Sequence, residues 1–191
     1  MITENQYKEI ANDLGVEVAV IKAVHEVESD GDAFLSDSRP KILFEGHIFW
    51  RQLKAKGIDP KDHEKGNETI LYKNWTRKHY KGGASEYERL EQAMKIDEEA
   101  AIRSCSWGSF QIMGYHAESL GFQDVFDFYY TLRTGEFENL KLFIKFCEVN
   151  NLVRHLRSKN WAAFAKGYNG PGYAQNKYDT KLEAAYNKFA K

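Results

Sequence analysis

Two glutamates stand where a carboxyl group could do acid–base chemistry. Glu28 lies in Val27-Glu28-Ser29-Asp30-Gly31, at the end of a short apolar stretch. Ile21 and Val24 precede it by seven and four residues, so a helix would place all three on one face. Glu26 would fall on another side with Ala19 and Lys22, toward solvent. Burying a carboxyl penalises its charged form and raises its pKa, which a general acid working near neutral pH requires. The plainer reading of Glu28 is a helix-end side chain bonded to a backbone N–H or a lysine. Glu45 follows in Lys41-Ile42-Leu43-Phe44-Glu45-Gly46-His47, just before a second helix signal. A helix N-terminus favours the ionised form there, and the plainer reading is a cap or an ion pair. One protonated and one ionised carboxyl are what glycoside hydrolysis uses.

Further candidates lie downstream. Ser104 to Gly114 is compact and aromatic, with Trp107 just before Gly108, and Phe110 and Gln111 between Gly108 and Gly114. Gly167-Tyr168-Asn169-Gly170 forms a glycine-rich turn. Trp107, Phe110 and Tyr168 could stack on sugar rings, although aromatics serve more often as core. His25 and His47 sit near the glutamates and read as structural histidines. The six histidines and two cysteines form no His-x-x-x-His or Cys-x-x-Cys pair, so neither a metal nor another cofactor is expected.

The elements that must position these residues are mostly helices. A first helix is expected over about 5–14, ended by Gly15, and the Glu28 helix follows it. Ser36 to Pro40 reads as a turn, 41–44 as a short strand and 46–53 as a helix. The polar stretch 57–67 reads as a surface loop. Ser85-Glu86-Tyr87-Glu88 has capping-box spacing and predicts one helix to about Arg103, with Tyr87, Leu90 and Met94 inward. Further helices are expected at 116–120, 125–132 and 136–149, the last with an inward stripe of Leu140, Phe143, Ile144 and Cys147. A short helix from Asn160 runs into the 167–172 turn, and an amphipathic helix carrying Tyr178, Leu182, Ala185 and Phe189 closes the chain. With no repeat or linker, 1–191 is expected to be one mainly α-helical domain.

A chain of 191 residues with 29% charged and 14% aromatic residues can bury a real core. Its net charge of −1 argues against a nucleic-acid coat protein. From Lys141 onward ten Lys/Arg stand against three Asp/Glu, leaving 17 against 25 before it. No apolar run approaches the roughly 20 residues of a membrane span, and Met1 to Lys8 lacks the form of a secretory signal. Cys105 and Cys147 are expected to be reduced.

In order and spacing, Glu28-Ser29, the Gly108-Ser109-Phe110-Gln111 segment and Tyr168-Asn169 resemble the lysozyme-like fold of goose-type lysozymes and lytic transglycosylases. The longer strings Arg39-Pro-Lys-Ile-Leu-Phe-Glu-Gly-His47, Ser106-Trp-Gly-Ser-Phe-Gln-Ile-Met-Gly114 and Gly167-Tyr-Asn-Gly-Pro-Gly-Tyr173 are similar to the N-acetylmuramidase catalytic domain of phage endolysins. That resemblance runs from about residue 10 to the C-terminus. It implies a lysozyme-like domain with a short extended segment by its groove, a peptidoglycan substrate and a monomer that acts on the cell wall after cytoplasmic synthesis. It also implies that Glu28 is the general acid and Glu45 a base or electrostatic stabiliser, with Gln111, Tyr168 and Asn169 holding sugar and carboxyl in place. No separate cell-wall-binding module is expected. The cationic side of the last helix, with Lys177, Lys181 and Lys188, could meet anionic envelope polymers, or the helix could simply cover the core. A lytic transglycosylase using one glutamate is the nearest alternative, and a non-catalytic glycan-binding protein a more distant one.

Overall fold

A computed structural model describes residues 1–29 and 31–191; Asp30 of the Glu28 string lies outside the described residues. In chain order the elements are α1 (Glu4–Leu14), α2 (Val18–Glu28), β1 (Ile42–Phe44), α3 (Gly46–Ala55), α4 (Ser85–Met94), α5 (Glu98–Arg103), β2 (Cys105–Trp107), β3 (Ile112–Met113), α6 (Val125–Leu132), α7 (Glu136–Val149), α8 (Val153–Arg157), α9 (Trp161–Asn169) and α10 (Tyr178–Phe189). Short 3-10 turns occupy 60–63, 114–116, 118–120 and 171–174. These elements fall into two compact units, Met1–Gly31 with Glu136–Lys191, and Asp32–Gly135.

In the first unit, α1 opens with a capping box between Thr3 and Gln6 and ends where Gly15 turns left-handed at φ 63°. Helix α2 buries Val20, Ile21, Ala23, Val24 and Glu28, while Glu26 is exposed as expected. Ala19 is buried instead of facing solvent, because the apolar side of α2 is broad and is covered by α1 and α10. Helix α7 buries Leu140, Phe143, Ile144 and Cys147 together. Asn160 caps α9 by accepting the Ala163 N–H at 3.1 Å. Leu182 and Ala185 of α10 are buried. The short helix α8 was not expected, since its five residues are too few to show a period.

In the second unit, β1, β2 and β3 form an antiparallel sheet in that order. Phe44 faces Cys105, and Ile42 faces Trp107. Here the capping-box expectation fails. Ala84 occupies the N-cap position without a side-chain bond, and Ser85 is already helical. The expected single helix to Arg103 is broken after Met94, and Asp97 caps α5 by accepting from Ala100 N at 2.8 Å. In place of a helix at 116–120, two 3-10 turns run over 114–116 and 118–120.

Candidate active site

In the first unit the site forms around Glu28. The helical spacing that carries Ile21 and Val24 inward also carries Glu28 inward, leaving it 9% exposed. Helix α9 ends at Asn169, whose Nδ2 donates to both carboxyl oxygens of Glu28 at 3.1 Å each. Burial raises the Glu28 pKa to about 7. The Asn169 donor and the Lys181 charge pull it back down, and desolvation outweighs them. Cys147 of α7 feels the Glu28 charge, and burial holds its thiol well above the ordinary range. The Tyr168 ring stacks on Phe164, with 6.0 Å between centroids, and meets Phe143 edge-on at 5.1 Å and Phe146 edge-on at 5.8 Å. Those three phenylalanines hold the ring of the half-buried Tyr168 beside Asn169.

In the second unit Glu45 is the N-cap residue of α3, yet its side chain makes no capping bond. Its Oε2 instead accepts from the Tyr80 hydroxyl at 2.6 Å and lies 3.3 Å from His47 Nδ1. His47 is buried, and Nδ1 forms no well-aligned hydrogen bond. Burial lowers the His47 pKa against the pull of Glu45, so the ring is neutral at pH 7. Burial, then the Glu45 carboxylate, pushes the Tyr80 hydroxyl well above the ordinary tyrosine range. Tyr80 therefore stays a proton donor in its hydrogen bond to Glu45.

The backbone on either side of Glu45 is pinned as well. Glu86, fully buried, accepts from Phe44 N at 3.1 Å, Lys81 N at 2.6 Å and Gly82 N at 3.0 Å. Arg89 donates to Glu86 at 2.7 Å and to the Phe44 carbonyl at 2.8 Å. The pair thus holds both the N–H and the C=O of Phe44. On the other side, Gly46 N donates to the Tyr72 hydroxyl at 3.3 Å. A Cβ at Gly46 would come within 2.4 Å of the Tyr72 ring and 2.6 Å of the Ile70 carbonyl, so only glycine fits. Sequence reasoning missed Tyr72, Tyr80, Glu86 and Arg89. Only the three-residue spacing of Glu86 and Arg89 hinted at a pair, and that spacing is common on solvated helix faces.

Gln111 sits in the β2–β3 turn at φ 49°, a strained conformation for a non-glycine residue. Its amide is fixed within the hairpin, accepting from Ser106 Oγ at 2.8 Å and donating to the Gly108 carbonyl at 2.8 Å. Trp107 and Phe110 are only 1% and 6% exposed. Trp107 donates to the Ile102 carbonyl at 3.1 Å and meets Phe128 and Tyr129 edge-on. Both are core side chains that carry the hairpin, and neither offers a face to a sugar. Strands of two and three residues are too short to reveal which side chains point inward.

His25 is structural, 2.5 Å from the Tyr7 hydroxyl. Cys105 and Cys147 are free and buried. Among the described residues no cluster of metal-ligating side chains occurs. Helix α10 lies on α2, with Lys188 bonded to Glu26 at 2.5 Å and Lys181 biasing Glu28.

The profile of the N-acetylmuramidase family matches residues 17–190. Among solved structures, the chain is similar to the crystal structure of a Burkholderia AP3 phage endolysin at 42% identity and a TM-score of 0.91. The alignment covers 99% of this chain and 71% of that one. No curated protein matches the sequence.

Proposed function

The chain belongs to the N-acetylmuramidase family, and from that premise we propose that Glu28 is its general acid and Glu45 its second carboxyl. The protein is a glycoside hydrolase acting on peptidoglycan, an endolysin like its structural neighbour. The bond cleaved is the β-1,4 linkage from N-acetylmuramic acid to N-acetylglucosamine. The observation that carries the assignment is a buried carboxyl with a pKa of about 7, held through both oxygens by one amide.

Glu28 gives its proton to the glycosidic oxygen as the bond to the muramic acid carbon breaks. The carboxylate it becomes keeps both Asn169 hydrogen bonds and gains from the Lys181 charge, so the same contacts that lower its resting pKa favour the product of proton transfer. Glu45, fixed by the Tyr80 hydroxyl, stabilises the oxocarbenium-like transition state or takes the proton of the attacking water. Gln111 binds the glycan through the remaining hydrogen-bonding capacity of its amide. Tyr168 acts through Asn169 as a positioning residue. We take residues 1–191 as one catalytic domain, working as a monomer.

Glu28→Gln tests the assignment. The variant should fold and keep the Asn169 contact, while clearing of purified sacculi falls by about 10²–10⁴-fold or more. A folded variant with near-native activity removes Glu28 from the mechanism.

A further inference from the structure

The main chain holds Glu45 first. Its N–H donates to the Ser104 carbonyl at 2.9 Å, and its own carbonyl accepts from Ile48 and Phe49, at 2.9 Å each. The side chain is then met at one oxygen only. Oε2 accepts from the Tyr80 hydroxyl at 2.6 Å, and His47 Nδ1 stands 3.3 Å from the same atom. His47 is 8% exposed. Among the described residues its Nδ1 is the one buried side-chain nitrogen or oxygen without a hydrogen bond. Native proteins rarely leave such an atom unpaired, because nothing replaces the hydration it has lost. The ring is also not free to swing toward another partner. It lies in the first turn of α3 and stacks on Tyr72, with centroids 6.5 Å apart and planes at 21°. Gly46 N and Arg89 Nη2 hold Tyr72 in turn, donating to its hydroxyl at 3.3 and 3.4 Å.

We propose that His47 is a positioning residue for the second carboxyl. Its Nδ1–H and the Tyr80 hydroxyl hold Oε2 between them, leaving Oε1 to meet the reacting centre. This rests on the reading of Glu45 as that carboxyl. Because Oε2 already accepts from Tyr80, a bare Nδ1 would set two lone pairs face to face, so the neutral ring carries its proton on Nδ1. The contact is longer and less aligned than a formed hydrogen bond, as catalytic contacts often are before substrate arrives. It shortens when the glycan strand binds, and so strengthens on the way to the transition state. An apolar ring would fill the same space without an unpaired nitrogen, and it could not do this.

The test uses the full chain on soluble, uncross-linked glycan strands, with kcat and KM measured separately. His47→Phe keeps a ring against Tyr72 and removes Nδ1. It should lower kcat roughly tenfold, the size of one hydrogen bond made in the transition state, and leave KM within about twofold. Its Tm should equal or exceed that of the wild type, because the unpaired buried nitrogen is gone. His47→Asn returns an N–H near the Nδ1 position and should recover kcat to within about threefold of the wild type. Glu45→Ala should be slow, and adding His47→Phe should slow it no further, because His47 acts through Glu45. If His47→Phe does not fold, His47→Leu takes its place in each comparison. Wild-type kcat in the apolar variant, beside a slow Glu45→Ala, makes His47 a core filler and overturns the proposal, while the second-carboxyl reading stands. A His47→Asn protein as slow as the apolar variant, or a further loss in the Glu45→Ala background, also overturns it. A Glu45→Ala protein with wild-type kcat overturns the second-carboxyl reading itself, and this proposal with it.

Discussion

Glu28 places a functional need against a stability cost. Its pKa rises from the ordinary 4.5 to about 7, so near neutrality a large share of molecules carry the proton. As the acid in the reaction, it should impose a basic limb on kcat/KM near pH 7, with activity lost as pH rises. Asn169 lowers that pKa. Asn169→Ala should therefore move the limb upward as well as reducing the rate, whereas a residue with no contact to Glu28 would leave the limb in place. The same shift governs folding. The folded pKa is above the unfolded one, so the favourable contribution is complete below about pH 4.5 and is lost as pH climbs through 7. At about 1.4 kcal/mol for each pH unit, the loss is on the order of 3 kcal/mol. Glu28→Gln has no such titration. It should match the wild type in stability at pH 4 and exceed it at pH 8, by roughly 6–12 °C in Tm. Equal differences at both pH values would mean that the Glu28 carboxyl is not desolvated in solution.

At the level of elements, β1 and α4 together fix Glu45. The buried Glu86–Arg89 pair grips Phe44, and Tyr72 grips Gly46. Arg89→Met would leave the Glu86 carboxylate buried without its cation, costing about 3–5 kcal/mol. Urea melts should show that loss, and the double variant Glu86→Gln/Arg89→Met should recover part of it. A single variant within about 0.5 kcal/mol of wild type would show that the pair carries little. This clamp also shows where reading the sequence reaches its limit. Helices α2, α6 and α7 were legible because their apolar residues recur at helical spacing over two turns or more. So was the inward position of Glu28, which depends on that spacing alone. The break before Asp97 was not, because Lys95 and Ile96 carry no strong stop signal and a false capping box at Ser85 lay upstream. Trp107 and Phe110 were candidates for sugar stacking because their rings carry apolar faces, and only their burial reveals them as core. Tyr80 was invisible as a site residue, since nothing local ties it to Glu45, which it meets from far along the chain.

Across the whole molecule, charge and catalysis are less separate than the sequence implies. Much of the basic excess after residue 141 is used in pairs: Lys188 with Glu26, Lys159 with Glu17, Lys141 with Glu138 and Lys145 with Glu148. Helix α10 is mainly a cover for α2, and its Lys181 biases the acid. Lys177, Lys181 and Lys188 are all exposed, Lys188 while paired with Glu26. No helix among the described residues is long and apolar enough to cross a membrane. The family assignment supports hydrolysis of the glycan strand, and the released products report on that directly. Purified sacculi digested in ¹⁸O-labelled water, then analysed by mass spectrometry with and without borohydride reduction, should yield muropeptides ending in reducible N-acetylmuramic acid. Each new end should carry one labelled oxygen, and the Glu28→Gln protein should release none. Products ending in unlabelled, non-reducible anhydromuramic acid would contradict the account, showing that the strand closes on itself and that Glu45 delivers no water.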